Sequence, residues 1–420
     1  MDKFVLHGGT PLHGTVAISG AKNASLALMP ATLLANGISH LHNTPDLRDV
    51  TSMGSVLSTI GEHIHREGKT LTIDSTHITT FEAPYEHVKK MRASTYVLGP
   101  LVARYGTAKV SLPGGCAWGP RPINLHLEGL RKLGAEITLT SGYILAEAKR
   151  LHGARISFDV SSVGTTINIL MAATLAKGTT EIHNAAMEPE VTSVAHYLTA
   201  MGARIDGIGT STLLIEGVDE LHSADTDNIP DRIEAGTFLI AAAITGGEIT
   251  ITNCNPMHLD SLLGKLASCG CEVTVADDRV TLRAPKKLTP VDITTSVYPG
   301  YPTDLQAQWV ALMCIAQGTS VVTDSVYLDR FMHVPELNRL GANIEVVDNV
   351  AIVRGVNHLS GAKVMSTDLR ASASLIIAGL AAENTTEVLR VYHIDRGYEN
   401  IEQKFKGLGA RITRERGEEF

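Results

Sequence analysis

The stretch from Thr165 to Ala203, TTINILMAATLAKGTTEIHNAAMEPEVTSVAHYLTAMGA, contains the main parts of a unit that recurs along the chain. Its first dozen residues are apolar nearly all the way round, which is typical of a helix buried on every side. A glycine and a short β-type run follow at Gly178 and at Thr180 to His183. A second, amphipathic helix then ends at Gly202, a position typical of a helix C-cap. The stretch therefore predicts one buried helix, one half-exposed helix and short strands.

Two markers of this unit recur in phase, which indicates six internal repeats. One marker is the glycine that ends the second helix, and the other is a glycine placed just before a strand. An asparagine takes the place of the second marker in the last repeat. The first marker lies at Gly61, Gly134, Gly202, Gly270, Gly341 and Gly409, and the second at Gly37, Gly106, Gly178, Gly247, Gly318 and Asn384. Each repeat is predicted to follow the order β-α-β-α-β-β.

Six repeats of about 70 residues, with sheets outside and helices inside, group most simply as three and three. At 420 residues the chain is also too long for one ordinary core, so we expect two α/β domains. The polar segment from Asp225 to Pro230 indicates a crossing between the two halves. A solenoid is the alternative architecture, but solenoid repeats are usually only about 20 to 50 residues long.

Composition limits the classes of function. The net charge of -8 argues against a general nucleic-acid surface, which requires a basic face. No apolar run reaches the roughly 18 residues of a membrane span, and the amino-terminal residues lack a signal-peptide pattern. The five cysteines form no disulfide framework, which suits a reducing compartment. We therefore expect a cytoplasmic protein without membrane insertion, and no motif indicates a metal or an organic cofactor.

Unusual polar residues occupy two equivalent places in the repeats. A cation at a helix N-terminus does not stabilise the helix, because that end already carries partial positive charge. Any one of these residues could be a surface or ion-pair residue, but their recurrence favours a cleft that binds a polyanion. The start of the buried helix holds Lys22-Asn23, Arg92, Ser162-Val163-Gly164, Arg232, Asp304 and Arg370, and the segment before the second helix holds Asp46 to Arg48, Cys116 to Arg121, Glu188-Pro189-Glu190, Asp329-Arg330 and Asp395-Arg396.

Cys116 lies in the Gly- and Pro-rich stretch from Ser111 to His126, which we interpret as a loop that moves between defined positions. Most free cysteines are small core residues, and the other four cysteines fit that role. Cys116 does not, because it follows a glycine pair and stands five residues before Arg121. We expect this loop to deliver Cys116 to a substrate.

Several motifs together closely resemble those of the UDP-N-acetylglucosamine 1-carboxyvinyltransferase family, over the whole chain. The resemblance implies two inverse α/β barrel domains of three repeats each, with the active site in the cleft between them. It also implies that residues 21–228 form one domain and that residues 1–20 plus 229–420 form the other. The motifs are Ser19 to Asn23, Pro113 to Cys116, Gly119 to Pro122, Ser162 to Gly164, Pro302 to Asp304, Arg330 to Leu337, Asp368 to Ala373 and His393 to Glu399.

The activity that the resemblance implies is transfer of the enolpyruvyl group of phosphoenolpyruvate to the 3'-hydroxyl of UDP-N-acetylglucosamine. Addition followed by elimination needs a base, an acid and cations for the carboxylate and phosphate. By resemblance, Asp304 is the base and Cys116 the acid, and Lys22, Arg121 and Arg396 hold phosphoenolpyruvate. The further substrate-binding residues implied are Asn23, Arg92, Pro122, Ile123, Asn124, Leu125, Ser162, Val163, Gly164, Val326, Arg330 and Arg370.

Two positions depart from the pattern of some family members. Asn124 stands where those members have Asp, and Val160 stands where they have Lys, which removes one possible contact to a diphosphate. Two alternative functions remain open from the sequence. One is the shikimate-pathway enolpyruvyl transferase, which lacks the Gly-Gly-Cys loop. The other is a non-catalytic paralogue that binds a UDP-sugar, although the intact Lys22, Cys116, Asp304 and Arg396 argue against it.

Overall fold

The computed structural model describes residues 2–89, 91–112 and 123–417, without the side chain of Arg92. The chain divides into two compact units, Gly20–Ile229 and Met1–Ser19 with Pro230–Phe420. The domain limits implied by the resemblance, 21–228 and 1–20 plus 229–420, differ from this division by one residue at each crossing. The change of unit between 229 and 230 falls inside the polar segment expected to cross between the halves.

The elements follow one another in the predicted repeating order. The amino-terminal strands are β1 (Asp2–His7) and β2 (His13–Ala17). Unit 20–229 contains α1 (Lys22–Ala31), β3 (Ala35–Asn36), β4 (Ile38–His42), α2 (Arg48–Ile60), β5 (His63–Glu67), β6 (Thr70–Asp74), β7 (Glu82–Ala83), α3 (Tyr85–Val88), α4 (Leu98–Tyr105), β8 (Thr107–Ser111), α5 (Asn124–Lys132), β9 (Glu136–Thr140), β10 (Tyr143–Glu147), β11 (Arg155–Ser157), α6 (Val163–Ala173), β12 (Thr179–His183), α7 (Pro189–Ala200), β13 (Arg204–Asp206), β14 (Thr212–Glu216), β15 (Leu221–His222) and β16 (Thr226–Asp227).

The second unit continues the pattern after the crossing. Its remaining elements are α8 (Arg232–Thr245), β17 (Glu248–Thr252), α9 (Asp260–Ser268), β18 (Glu272–Ala276), β19 (Arg279–Arg283), β20 (Ile293–Thr295), α10 (Gln306–Met313), β21 (Thr319–Asp324), α11 (Val334–Arg339), β22 (Asn343–Val347), β23 (Val350–Arg354), β24 (Lys363–Met365), α12 (Leu369–Ala381), β25 (Thr385–Leu389), α13 (Ile401–Gly407) and β26 (Arg411–Arg416). Short 3-10 helices lie at Thr32–Leu34, Arg92–Val97, Pro256–Leu259, Thr303–Leu305 and Val391–Arg396.

Six four-stranded sheets of the described chain share one topology. In each sheet one edge strand is parallel to its neighbour, and the other two pairings are antiparallel. This shared order confirms the six repeats predicted from the glycine markers. The strand orders are β16-β4-β6-β5, β7-β8-β10-β9, β11-β12-β14-β13, β2-β17-β19-β18, β20-β21-β23-β22 and β24-β25-β1-β26.

Strands from distant parts of the chain complete three of these sheets. β1 pairs with β25 and β26, and β2 pairs with β17 in parallel, so the amino-terminal segment belongs to the unit that starts at Pro230. β16, in the crossing segment, pairs in parallel with β4. Each short strand gains its backbone hydrogen bonds only through this long-range pairing, which no local pattern contains.

The predicted all-round apolar helices lie inside their units. α8, α10 and α12 pack against one another, and residues 233–244 of α8 are all buried. In the other unit α4 packs against α6, in which residues 165–173 are buried. The second helices are amphipathic as predicted, since α13 buries Ile401 and Phe405 and exposes its other face. Burial on every side explains why the inner helices carry almost no charge after their first turn.

The glycines that mark the helix ends confirm the predicted C-caps. All six have positive φ, from 86° at Gly341 to 126° at Gly61, a region that disfavours residues with a Cβ. In the second marker, Asn384 has φ 66°, a conformation that asparagine tolerates better than most residues. The fourth repeat differs from the expected pattern, because Gly246 rather than Gly247 takes positive φ there.

Candidate active site

The polar residues expected at the start of the buried helices lie at those positions. These residues therefore stand at one end of each inner helix, where the backbone N–H groups lack helical partners. Lys22 and Arg232 begin α1 and α8, Ser162 caps α6, Arg370 is the second residue of α12, Asp304 lies in the 3-10 helix before α10, and Arg92 begins the 3-10 helix before α4.

Asp304 lies between two arginines of its own unit. Arg370 Nη2 donates to Asp304 Oδ2 at 2.7 Å, and Arg330 Nη2 lies 2.8 Å from Asp304 Oδ1. The arginine side chains are only 6% and 8% exposed, whereas the Asp304 side chain is 25% exposed. The structure thus brings together three residues that are 26 and 40 positions apart in the sequence. The carboxylate is the member of the group that a solvent-borne ligand can reach.

The charges around Asp304 determine its protonation state. Burial raises the pKa of the Asp304 carboxyl, but the positive charges of Arg370 and Arg330 and their hydrogen bonds outweigh burial and hold it well below its usual value. The same carboxylate raises the pKa of Arg370, although burial of the guanidinium opposes this. Asp304 is therefore ionised at neutral pH and available to accept a proton.

A hydrogen-bond network fixes Arg370. Asp368 caps α12 by accepting from the backbone N–H groups of Arg370 and Ala371 at 2.8 and 3.1 Å. Arg370 Nη1 donates to Tyr398 Oη at 3.2 Å, and that hydroxyl lies 2.9 Å from Thr237 Oγ1 on α8. Tyr398 belongs to the motif His393 to Glu399 noted in the sequence, but nothing local linked it to Arg370.

The loop that carries Val326 and Arg330 is tied down by a buried carboxylate. Asp324 is 0% exposed, and its Oδ1 accepts from the backbone N–H groups of Val326 and Tyr327 at 3.0 and 2.9 Å. Arg330 lies over the Tyr327 ring, with its guanidinium carbon 5.3 Å from the ring centroid. Sequence reasoning missed Asp324, because an acidic residue at a strand end has no signature that separates it from a surface residue.

Arg396 lies in the 3-10 helix Val391–Arg396 of the same unit. The neighbouring Asp395 is held by Arg414, whose Nη1 and Nη2 donate to Asp395 Oδ2 and Oδ1 at 3.2 and 2.5 Å. Arg414 also contacts Glu402 of α13, with Nε 3.1 Å from Oε1. The segment that carries Arg396 is thus anchored to β26 and α13.

In unit 20–229, Lys22 forms a largely buried ion pair. Lys22 Nζ lies 2.9 Å from Asp49 Oδ2, with side-chain exposures of 12% and 4%. The alternative that a single cation serves in an ion pair therefore holds for Lys22 in this structure. An anionic ligand that binds Lys22 must compete with Asp49. Asn23 follows Lys22 in α1. Asp49 was not singled out in the sequence, although it adjoins the polar segment Asp46 to Arg48.

The acidic pair Glu188 and Glu190 lies at the N-terminus of α7. Both residues are buried, and carboxylates at this end of a helix are stabilised by the helix dipole. A structural role thus accounts for these two members of the polar residues predicted before the second helix of each repeat.

The segment from Ser162 to Gly164 forms the capped start of α6. Ser162 Oγ accepts from Thr165 N at 3.3 Å, and Val163 and Gly164 form the first turn. A Cβ at Gly164 would lie 3.4 Å from Nε2 of His126, so the turn lies against this imidazole. Ile123 is the N-cap residue of α5, which Asn124 and Leu125 begin and which also carries His126.

Asn168 fixes the orientation of His126. Its Oδ1 accepts from Gly99 N at 2.7 Å, so its Nδ2 is the donor to Thr95 O and to His126 Nδ1, each at 3.0 Å. His126 Nδ1 is then an acceptor and Nε2 carries the proton. His126 directly follows Leu125 in the sequence, where no role was assigned to it, and only the tertiary packing places it against the first turn of α6 at Gly164.

Three predicted site residues, Cys116, Arg121 and Pro122, lie outside the described residues, as does the side chain of Arg92. The other four cysteines are buried, in agreement with the core role predicted for them. Val160, the departure from the family pattern near Ser162, is 63% exposed.

The described part of the chain lacks two features. None of its helices combines the length and the apolar character that crossing a membrane requires. Within the same residues, no three His, Cys, Asp or Glu side chains are grouped as a metal site requires.

Comparison with known proteins shows full-length similarity. The family model of EPSP synthase (3-phosphoshikimate 1-carboxyvinyltransferase) matches residues 6–405. The UDP-N-acetylglucosamine 1-carboxyvinyltransferase of Chloroherpeton thalassium is 59% identical and covers 100% of this chain and 99% of that protein, and the enzyme of the same name from Chlorobium phaeovibrioides is 57% identical over 100% of both.

Solved structures show the same architecture. The enolpyruvyl transferase NikO from Streptomyces tendae is similar with a TM-score of 0.89 and 29% identity over 99% of both chains. EPSP synthase from Acinetobacter baumannii is similar with a TM-score of 0.77 over 99% of this chain and 100% of that one. Because the two sequences are only 18% identical, this structural similarity shows a shared fold and nothing more. The predicted α/β fold of two repeated halves is thus confirmed.

Proposed function

The chain belongs to the EPSP synthase family and, within it, to the UDP-N-acetylglucosamine 1-carboxyvinyltransferases, and we propose that it transfers the enolpyruvyl group of phosphoenolpyruvate to the 3'-hydroxyl of UDP-N-acetylglucosamine. The observation that carries the proposal is the Asp304 carboxylate bound by Arg370 and Arg330. The charges of these arginines hold its pKa well below its usual value. In this proposal the two compact units are the two domains of the enzyme.

The proposed reaction begins with proton removal by Asp304. The carboxylate accepts the proton of the 3'-hydroxyl as its oxygen bonds to C2 of phosphoenolpyruvate, and Cys116 gives a proton to C3. A proton then returns from C3 to the Cys116 thiolate while the bond from C2 to the phosphate oxygen breaks, which restores the double bond. The departing phosphate takes the proton held by Asp304, so both groups regain their starting state. A carboxylate with a depressed pKa is a weak base, so a ligand anion that draws Arg330 or Arg370 away strengthens it.

The cations supply charge that matches phosphoenolpyruvate. Lys22, Arg121 and Arg396 are proposed to bind its phosphate and carboxylate, with Asn23 and Arg92 beside them and with Arg330 and Arg370 lining the same site. Burial supports this role for Arg330 and Arg370, because charge–charge interactions are stronger away from water. Lys22 reaches a ligand if the anion replaces Asp49 as its partner.

The proposed sugar-nucleotide site uses helix starts and one loop. Ser162, Val163 and Gly164 present the first turn of α6, whose backbone N–H groups suit phosphate oxygens. Ile123, Asn124 and Leu125 at the start of α5, with Arg121, Pro122 and Val326, are proposed to contact the uridine. Asn124 can accept and donate hydrogen bonds in place of the Asp of other members.

We further propose that the protein acts in the cytoplasm, at the first committed step of peptidoglycan synthesis. Cell-wall biogenesis, cell shape, cell division and the cell cycle depend on that step, and alkylation of Cys116 by the epoxide fosfomycin is part of the same proposal. No metal or organic cofactor enters the proposed steps.

One incubation separates the proposal from its alternatives. Purified protein is mixed with phosphoenolpyruvate and UDP-N-acetylglucosamine, and phosphate release and the mass of the sugar product are measured. Enolpyruvyl transfer predicts phosphate and product in equal amounts. Phosphate release from phosphoenolpyruvate that occurs only when 3-phosphoshikimate replaces the UDP-sugar would instead identify the shikimate-pathway activity. Binding of the UDP-sugar without phosphate release would identify a non-catalytic paralogue.

A further inference from the structure

Asp324 and Thr303 form a hydrogen-bond relay that begins at a buried carboxylate and ends at Asp304. Thr303 Oγ1 donates to Asp324 Oδ2 at 2.7 Å, and Arg330 Nη1 donates to the same Thr303 oxygen at 2.9 Å. The other nitrogen of Arg330, Nη2, lies 2.8 Å from Asp304 Oδ1. A threonine hydroxyl has one hydrogen, so its bond to Asp324 leaves the oxygen lone pairs directed at Arg330.

We propose that Asp324 is a positioning residue, which acts through Thr303 and Arg330 to orient the carboxylate of Asp304 toward the acceptor hydroxyl. The proposal rests on the proposed function, in which Asp304 is the base. Asp324 touches no reacting atom itself. Its effect on Asp304 is transmitted by the direction of one hydroxyl hydrogen and by the position of one guanidinium group.

The surroundings of Asp324 make this relay rigid. Its Oδ1 accepts from Thr295 Oγ1 at 2.7 Å as well as from the backbone N–H groups of Val326 and Tyr327. Thr295 belongs to β20, Asp324 ends β21, and Thr303 precedes α10, so three elements meet at one carboxylate. Asp324 is completely buried, and a buried carboxylate with this many donors has one favourable orientation.

The two oxygens of Asp324 have separate tasks, which provides a matched control. Thr303 bonds to Oδ2 and leads to Arg330, whereas Thr295 bonds to Oδ1 and does not contact Arg330 in the contacts described. Thr303→Val removes the relay hydroxyl, and Thr295→Val removes an equally short hydrogen bond to the same carboxylate. Thr303→Ser keeps the hydroxyl, and Asp324→Asn keeps the shape but presents an N–H group to Thr303.

The first measurement is steady-state kinetics with phosphoenolpyruvate and UDP-N-acetylglucosamine. Thr303→Val and Asp324→Asn are expected to lower kcat by about 10- to 100-fold, as small misplacements of a reacting group do. KM for the UDP-sugar should stay within about twofold, and Thr303→Ser and Thr295→Val should keep kcat within about threefold of the unmodified protein. Equal kcat for Thr303→Val and Thr295→Val would overturn the proposal.

The second measurement needs no substrate and therefore separates this proposal from the proposed function. Carbon-13 NMR of labelled aspartate follows the titration of Asp304, whose resonance is assigned by its loss in Asp304→Asn. Among the described residues, the charged groups that face it are Arg330 and Arg370. Displacement of Arg330 should raise the pKa of Asp304 in Thr303→Val but not in Thr295→Val. An unchanged titration would contradict the relay even if the unmodified protein transfers enolpyruvyl groups.

If the unmodified protein releases no phosphate while Thr303→Val still shifts the titration, the proposed function fails and the orientation of Asp304 by the relay stands. Asp324 is fully buried and Thr303 only partly so, which makes Thr303→Val the variant expected to fold if Asp324→Asn does not. The thermal midpoint of each variant is measured alongside.

Discussion

At Asp304, a carboxylate that two arginines hold ionised remains accessible to solvent on one side. Replacement by asparagine keeps the size of the side chain and removes its ability to take a proton. We expect Asp304→Asn to lower kcat for phosphate release by about 100-fold or more, the usual contribution of a general base. Asp278→Asn, at an exposed side chain, is the control. Similar kcat for both variants would exclude Asp304 as the base.

Cys116 is proposed to supply a proton, so the substituent must be able to carry one near neutral pH. Cys116→Asp is expected to retain turnover, because a carboxyl group can still carry a proton. Cys116→Ser should lose it, since a serine hydroxyl is far less acidic than a thiol. Phosphate release measures both variants, and equal turnover by the serine variant and the unmodified protein would remove Cys116 from the acid role.

Glu62 takes the place of a small residue that follows the marker glycine in the other five repeats. Burial raises its pKa to about 8, although hydrogen bonds from Ser75 and Thr32 and the charge of Arg104 oppose the rise. The folded protein therefore holds the proton that the unfolded chain releases above pH 4.5. The stability that this group contributes is present below pH 4.5 and is lost as the pH rises to about 8.

Glu62→Gln should remove this pH dependence, because glutamine stays neutral. The thermal midpoint of the variant, minus that of the unmodified protein, should increase as the pH rises from 5 to 8. The limiting slope for one proton is about 1.4 kcal/mol per pH unit. Glu86→Gln, at an exposed carboxyl group, is the control. Parallel midpoint curves for the Glu62 variant and the unmodified protein would contradict the assignment.

At the scale of elements, the contact between α8 and the 3-10 helix that carries Asp304 depends on a glycine. A Cβ at Gly236 would lie 2.5 Å from Leu305 Cδ1 and 2.8 Å from Leu262 Cδ2, whereas one at Gly264 in α9 would meet nothing within 4 Å. Gly236→Ala should destabilise the protein by about 1 to 3 kcal/mol through overpacking and displace Asp304 through Leu305.

Gly264→Ala is the matched variant, because it also places alanine inside a helix. It should stabilise the protein by up to about 1 kcal/mol, the difference in helix propensity. Thermal midpoints measure both effects, and kcat shows whether Asp304 has moved. If Gly236→Ala had the same thermal midpoint and kcat as Gly264→Ala, the predicted overpacking at Gly236 and the displacement of Asp304 would both be contradicted.

For the whole molecule, thiol chemistry tests whether UDP-sugar binding is coupled to the Cys116 loop. Cys254, Cys269, Cys271 and Cys314 are buried, and burial raises the pKa of each thiol to about 11 or 12. We expect one fast-reacting thiol in the native protein, absent in Cys116→Ser, since thiolate is the reactive form. Mass spectrometry identifies the labelled residue.

Addition of UDP-N-acetylglucosamine should change the labelling rate at Cys116 and leave the rates at the other four cysteines unchanged. UDP-glucose at the same concentration is a control for general nucleotide effects. A rate at Cys116 that does not respond to any concentration of UDP-N-acetylglucosamine that binds would contradict the coupling.

Much of the architecture followed from local physical chemistry in the sequence. A helix buried on every side must be apolar all round, and a helix that ends in a left-handed turn favours glycine, so both leave periodic marks. Those marks were sufficient for six repeats and for the positions of Lys22, Asp304 and Arg370 at helix starts. Family motifs, rather than periodicity, supplied the proposed chemical role of each residue.

The sequence by itself thus determined the repeating element order, the buried helices and the ends of those helices that carry charge. Only the tertiary structure decided that Lys22 pairs with Asp49 and that Asp324 reaches Asp304 through Thr303 and Arg330. That β1 and β2 join the unit beginning at Pro230 was implied by the family resemblance and by no local pattern in the sequence. The physical reason is range. Helix periodicity and capping act within a few residues, whereas strand pairing and buried ion pairs join groups that only the completed packing brings within hydrogen-bond distance.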